Sequence, residues 1–307
     1  MNQVNCNYCG KDDTQPVSRG ADLLLNKAGD FHLVRCLNCD LIYQNPKLTK
    51  EELTEYYPDE YDPYQRGVVE QLSGVQKFDR QHEMSRRCTR IEAYFDKPGK
   101  ILDIGCATGL FLAAMKERGW EAHGIEPSDY AADYARTQYG LQVIHGTLED
   151  TQLPVDQFDV VTMWDVLEHV DDPMETLKEV YRILKPNGLL VVSLPNPNSL
   201  EARIFGDSWI GWDRPRHLNI FSSEVIEKYL DKTGFQLNKI ESFSGKLAIT
   251  LMNLDFWVAA KGYDQNRWQR LRRFLYNPVF RAATWPVYRL LGALNRLTIM
   301  NIFAIKN

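Results

Sequence analysis

The chain has 307 residues, 44% of them hydrophobic and 25% charged, which is ordinary for a folded globular protein and leaves room for one α/β domain with something smaller at either end. No uncharged apolar stretch reaches roughly eighteen residues, which excludes a spanning helix, and no basic segment followed by an apolar run opens the chain, so a cytoplasmic location is expected. The net charge of −5 argues against a generally basic nucleic-acid binder.

Taken from the start, the six cysteines are unevenly placed. Cys6-x-x-Cys9 and Cys36-x-x-Cys39 form two hooks separated by 26 residues, while Cys88 and Cys106 stand alone. In a reducing compartment such hooks read as four thiolates around Zn²⁺, with two unrelated redox pairs as the alternative. Four thiolates leave no open coordination position, so residues 1–55 are expected to be a structural zinc ribbon that folds a segment too small for its own core.

Tyr43, Tyr56, Tyr57, Tyr61 and Tyr64 then cluster with Pro46, Pro58 and Pro63, a turn-rich run that cannot be one helix. Packing of the ribbon against the main domain is the preferred reading, with closure over a cofactor or a phenol offered to substrate as the alternative. Val68 to Phe95 reads as a helix, so residues 56–98 form a connector plus a cap helix, with His82 at a surface or interface.

Ile101-Leu102-Asp103-Ile104 predicts a buried strand, Gly105-Cys106-Ala107-Thr108-Gly109 a sharp turn, and Leu110 to Arg118 a helix. The turn lacks the third glycine of a dinucleotide fingerprint, and Ala107 stands where a second would fall. Glu126, ending the next apolar segment, suits a ribose diol because a carboxylate accepts both hydroxyl hydrogens. Further strands are expected at 143–145, 160–163, 189–194 and 235–240, with helices capped by Ser128, by Asp172 ahead of Pro173 and Glu175, and before Gly234. This alternation implies a doubly wound, mainly parallel sheet with ligands at the carboxyl ends of its strands.

Two stretches carry candidate chemistry. After the fourth strand comes Trp164-Asp165-Val166-Leu167-Glu168-His169-Val170, where His169 is the first candidate general base and Glu168 orients it or binds a substrate hydroxyl. A loop that merely packs is the competing reading, and a metal at Glu168 and His169 lacks obvious further ligands. In Phe205 to Ser222, Trp209, Trp212, Arg214 and Arg216 offer flat faces and forked donors suited to a sugar phosphate, and His217 is a second candidate base; a packed lid stands at even weight. The tail then changes sign: residues 261–307 carry +8, leaving −13 on the first 260. Trp268, Leu271, Phe274 and Leu275 share one helical face, as do Val287, Leu290, Leu291, Leu294 and Leu297. Residues 246–307 are therefore expected to be a basic amphipathic helical extension that packs on the domain or a second subunit, or makes peripheral contact with a membrane.

The runs Leu102 to Gly109, Gly124-Ile125-Glu126-Pro127-Ser128, Phe158-Asp159-Val160-Val161 and Leu184-Lys185-Pro186-Asn187-Gly188 together resemble class I S-adenosylmethionine-dependent methyltransferases, over residues 99–245. The resemblance implies a seven-stranded Rossmann-like methyltransferase sheet. It implies that Gly105, Cys106, Ala107 and Gly109 lie against the methionine end of the cofactor and that Glu126 holds the ribose. Asp103, Pro127 and Trp164 would line the site, and Leu148 and Glu149, beside Asp150, would contact adenine. The Glu168-His169 pair resembles that of ubiquinone O-methyltransferases and several sugar methyltransferases. Pro215-Arg216-His217-Leu218 followed by Phe221-Ser222 is similar to zinc-ribbon methyltransferases associated with surface polysaccharide synthesis. The expected reaction is O-methylation of a saccharide, sugar nucleotide or lipid-linked sugar. The alternatives are a quinone precursor or other small molecule, ribosomal RNA, disfavoured by the acidic catalytic region, and a non-catalytic cofactor-binding module. Oligomeric state is left open.

Overall fold

A β-hairpin, β1 (Thr14–Asp22) and β2 (Lys27–Cys36), opens the regular structure, followed by β3 (Ile42–Gln44) and the short helix α1 (Lys50–Thr54). The computed structural model describes residues 1–57, 74–244, 246–275 and 277–307, so Pro58, Tyr61, Pro63, Tyr64 and the start of the helix expected from Val68 lie outside the described residues. The chain continues through α2 (Gly74–Glu92), β4 (Lys100–Ile104), α3 (Leu110–Glu117), β5 (Glu121–Glu126), α4 (Asp129–Tyr139), β6 (Gln142–His145), β7 (Phe158–Trp164), α5 (Pro173–Ile183), β8 (Leu184–Pro195) and α6 (Leu200–Phe205). It ends with β9 (Asn219–Ile220), α7 (Ser223–Thr233), β10 (Phe235–Glu241), α8 (Lys246–Ala260), α9 (Gln265–Leu275), α10 (Pro278–Ala293) and β11 (Ile299–Lys306).

The predicted boundaries follow from the caps. Ser128 Oγ accepts the Ala131 N–H at the start of α4, and Asp172 Oδ1 accepts from Met174 and Glu175 ahead of α5, with Pro173 in the first turn. Glu175 does not reach back as expected; it pairs with Lys178 one turn on.

Seven strands in the order β10-β11-β8-β7-β4-β5-β6 form the main sheet, with β4 to β8 mutually parallel and β11 antiparallel to both its neighbours. Alternation along the strands sends Leu102, Ile104, Val161, Met163, Leu190 and Val192 to one face, under α5 and α7. Ile101, Val160, Leu189, Val191 and Phe303 go to the other, under α2, α3 and α4. Strand β11 corrects the expected division of the chain, because residues 299–306 are not part of a tail: Met300, Ile302, Phe303 and Ala304 are buried between β8 and β10. Its apolar run carries no acid and directly follows a basic segment, so its sequence alone did not distinguish a core strand from the end of a helical extension.

The N-terminal segment shares a sheet with the 205–222 stretch. Strands β1, β2 and β3 make a second sheet whose fourth member is β9, from the 205–222 stretch, with Ile42 opposite Ile220 and Tyr43 opposite Asn219. Both hooks sit at its edge against α7, where Tyr8 and Tyr229 have centroids 4.9 Å apart, Tyr229 Oη donates to Asn7 Oδ1, and Lys228 Nζ donates to the Cys39 carbonyl. Cys6, Cys36 and Cys39 share a hydrophobic cluster with Phe221 and Tyr229. Burial of that surface couples the N-terminal segment to the main domain.

Candidate functional site

The glycine turn closes over the carboxyl end of β4. Gly105 and Gly109 have φ of +70° and +78°, left-handed values, and a Cβ at either would lie 2.6 Å from Val166 or 2.5 Å from Leu141. Ala107 takes the same region, φ +47°, despite its Cβ. Its N–H donates to Glu126 Oε2 and the Ser128 N–H donates to Glu126 Oε1, both at 2.8 Å. Each buried oxygen of Glu126 keeps a free lone pair, so the carboxylate can still accept the two hydroxyls of a diol. Asp103 is buried alongside, takes a hydrogen bond from Thr162 Oγ1 at 2.6 Å, and is pushed up to about 7 by burial.

Around this turn Cys106 is buried and Pro127 offers its carbonyl to His145 Nε2 at 3.0 Å. Leu148 is buried in the core, Glu149 is exposed, and Asp150 caps the same short turn through the Thr147 N–H. Trp164 ends β7 with its indole N–H unpartnered among the described residues. Arg87 of α2, a residue that sequence reasoning missed, lies over the Trp164 ring at 4.2 Å with its Nε–H unpartnered. A diol acceptor, a buried cation and an open indole donor together suit a nucleoside that carries an amino-acid carboxylate. The residues therefore fit S-adenosylmethionine, whose sulfonium would supply the methyl group.

After β7 the chain turns through Asp165, at φ +58°, which Ser193 Oγ holds by a 2.9 Å hydrogen bond. Glu168 follows, fully buried, with neither carboxylate oxygen partnered among the described residues. Burial and the nearby Asp165 charge push its pKa well above the ordinary carboxylate range. The structure brings His169 and His217, 48 positions apart in sequence, edge-to-face with centroids 4.6 Å apart. His217 Nδ1 lies 2.9 Å from the Gly211 carbonyl and His169 Nδ1 lies 3.1 Å from the Arg216 carbonyl. A carbonyl can only accept, so His217 Nδ1 carries the proton and its Nε2 is left as an acceptor, whereas His169 Nδ1 also meets Tyr57 Oη, which can either donate to it or accept from it. His217 Nε2 lies 4.0 Å from Glu168 Oε1. Burial lowers both imidazoles, His169 to about 3, so both are neutral at pH 7. One ligand atom each from Glu168, His169 and His217 lie within 4.8 Å of one another and could hold a cation, and anchoring of Nδ1–H on a carbonyl is how ligating histidines are oriented. His217 is the further ligand that was not evident from sequence.

Tyr57 also reaches this cluster from the N-terminal segment, with its Oη 3.0 Å from His169 Nδ1. Gln44 donates its backbone N–H to Leu218, whose own N–H bonds the Glu168 carbonyl, and the buried Gln44 amide has neither atom partnered among the described residues. Nothing in the local pattern marked Gln44, whereas Tyr57 belongs to the tyrosine-rich run singled out in the sequence.

The aromatic and arginine cluster at 209–216, read as either a sugar-phosphate site or a packed lid, lies in the interior. Trp209 and Trp212 are buried against each other, edge to face at 4.9 Å, and pack on Leu33, Ile42 and Ile220. Arg216 is fully buried and its guanidinium is encircled: Asp22 takes Nη1 and Nη2 at 2.8 and 2.7 Å, and Asp213 takes Nη2 and Nε at 2.6 and 3.0 Å. Arg214 donates to Ser18 Oγ and the Asp207 carbonyl. These forks meet aspartates of the protein where a sugar phosphate was expected.

The four hook cysteines form a second cluster, with Cys6 Sγ 3.4 Å from Cys39 Sγ and Cys9 Sγ 3.5 Å from Cys36 Sγ. Sulfurs ligating one zinc ion at about 2.3 Å would lie roughly 3.8 Å apart, which this arrangement approaches.

Comparison with known proteins agrees with the turn. The family described as "Methyltransferase domain" matches residues 76–240. The chain is 39% identical over 102 residues to a mitochondrial ubiquinone biosynthesis O-methyltransferase of Schizosaccharomyces pombe, a match that covers 31% of this chain and 37% of that protein. It is 35% identical over 161 residues to a ubiquinone biosynthesis O-methyltransferase of Pseudomonas aeruginosa, covering 46% of this chain and 69% of the relative. Among solved structures, the (4+2)-cyclase SpnF aligns with a TM-score of 0.54 at 19% identity over 85% of this chain and 97% of its own. A putative sarcosine dimethylglycine methyltransferase from Galdieria sulphuraria aligns at 0.51 and 13% identity over 78% and 90%. These two share the fold, and a cyclase among them illustrates that the fold alone does not fix the chemistry.

Proposed function

Because this chain belongs to the S-adenosylmethionine-dependent methyltransferases, we propose that it methylates a hydroxyl of a small acceptor, and that the acceptor is a phenol of the quinone-precursor kind. The observation that carries the reaction class is the cluster of Glu168, His169 and His217 at the end of β7, beside the glycine turn, with two neutral imidazoles in edge-to-face contact and a carboxyl group unpartnered among the described residues. The acceptor oxygen attacks the methyl carbon, the carbon–sulfur bond breaks toward sulfur, S-adenosylhomocysteine leaves, and the hydroxyl proton passes to His169 Nε2 or His217 Nε2. Glu126 grips the ribose and Arg87 the carboxylate.

The acceptor reading rests on two supports. The relatives named above are ubiquinone biosynthesis O-methyltransferases, and the sugar-phosphate alternative loses its motive once Arg214, Arg216, Trp209 and Trp212 are interior. A weakly basic imidazole also suits a phenol, at about pKa 10, better than an aliphatic hydroxyl. Turnover of labelled methyl donor with catechols and phenols, and none with nucleotide sugars or lipid-linked sugars, is the expected result; the reverse sinks the acceptor. Full turnover in both His169→Ala and His217→Ala removes the assigned base.

A second reading of the cluster is a divalent cation on Glu168, His169 and His217, which would acidify the acceptor hydroxyl by direct ligation. Dialysis against chelator, with activity restored by added metal, separates it from the metal-free base. The hook cysteines hold a structural Zn²⁺, and metal analysis should find about one per chain for that site.

A further inference from the structure

We propose that the surface made by α9 and α10 docks on an anionic lipid bilayer. Helix α10 buries none of its residues. Its outward positions are apolar: Val279 is 78% exposed, Leu290 60% and Trp285 51%, with Val287 beside them and Leu294 just beyond the helix. Phe274, at the end of α9, is 66% exposed. An uncovered apolar face of this kind marks an interaction site rather than ordinary surface.

The charges around it select the partner. No Asp or Glu occurs from residue 265 to the C-terminus, while eight Lys or Arg do. Some of these turn inward, Arg272 to Asp255, Arg281 to Asp79 and Lys306 to Asp156. Arg270 and Arg273 on α9 and Arg289 on α10 are exposed and have no carboxylate partner among the described residues. Arg289 is the sole charge among the exposed residues of α10 and lies 5.1 Å over the Trp285 ring. Cations bordering an apolar helical face are the arrangement of an interfacial helix, in which the apolar side enters the headgroup–acyl boundary and the cations meet anionic headgroups. Pairing of this face with the same face of a second copy would set the unpaired arginines against each other. No helix among the described residues is long and apolar enough to cross a membrane, so contact is in the plane of the surface. Helix α10 leads into β11, whose Ile299 lies opposite Pro195 at the carboxyl end of β8, so the docking face adjoins the strand ends where ligands bind.

The inference stands independently of the acceptor. Co-sedimentation of the full chain with phosphatidylcholine–phosphatidylglycerol vesicles tests it. We expect binding to the mixed vesicles that weakens with salt and is absent with pure phosphatidylcholine, and a Trp285-dependent blue shift in fluorescence on binding. Arg270→Gln/Arg273→Gln/Arg289→Gln should weaken partitioning roughly a hundredfold, and Val279→Asp/Leu290→Asp should abolish it. Both variants alter exposed positions, so Tm and S-adenosylmethionine affinity by calorimetry should match the parent. No binding to the mixed vesicles, or equal binding to neutral ones, overturns the proposal. So does a dimer in sedimentation that Leu290→Asp dissociates while vesicle binding is absent.

Discussion

The loop after β7 and the stretch 205–222 look alike in sequence, each dense in polar and aromatic residues beside a strand end, yet the fold uses them in opposite ways. In the first, Glu168 is buried with both oxygens unpartnered among the described residues and His169 stands edge-to-face with His217. In the second, Arg214 and Arg216 are buried with their donors taken up by Ser18, Asp22, Asp207 and Asp213. Residue type announces chemistry only where the tertiary structure leaves the group without an internal partner. His217 crosses the divide, belonging to the second stretch and serving the first.

The sharpest way to break this contrast is kinetic. His169→Ala should lower turnover by roughly 10²–10⁴-fold while leaving Tm and cofactor affinity near the parent values. A loss of stability instead would move His169 into the structural class. The complementary experiment is Asp22→Ala, which leaves Arg216 with one carboxylate in a buried site and should cost on the order of 3–5 kcal/mol in thermal or urea unfolding. If Asp22→Ala is stable but loses acceptor affinity, Arg216 faces the substrate after all.

A pH experiment probes burial at the glycine turn, outside both regions. Asp103 has a folded pKa of about 7, above its unfolded value, so the folded state holds a proton that the unfolded chain releases. Its stabilisation is complete below about pH 4 and is lost as pH rises toward 7, with a slope of at most about 1.4 kcal/mol per pH unit. Asp103→Asn should flatten that part of the cofactor-free stability curve, and an unchanged slope would refute the assignment. The smallest effect concerns the turn. Ala107→Gly relieves a left-handed alanine and should stabilise the protein by about 1 kcal/mol with cofactor binding intact.

Much of the catalytic domain was legible because it is written in local pattern. Ser128, Asp172 and Gly234 punctuate helices within a few residues, and branched aliphatic runs mark β4, β7 and β8 as buried parallel strands. The hooks were equally readable, since their spacing brings two sulfurs together on each. The place of Gln44 was not, because it depends on β3 meeting β9, a pairing 178 residues apart from Ile42 to Ile220, and the contact of Tyr57 with His169 spans 112 positions. The tail was half readable: its charge and its helical faces are in the sequence, but Leu271 and Phe274 are exposed, and residues 299–306 form a largely buried strand.

By itself the sequence determined the alternating strands and helices from β4 to α7 and where the glycine turn falls, because these depend on periodicity and on backbone dihedrals that near neighbours impose. Only the tertiary structure decided which polar groups face a ligand and which face each other. That choice depends on long-range pairing, of Arg216 with Asp22 and of β11 between β8 and β10, and burial makes the loss of a partner there a matter of several kcal/mol.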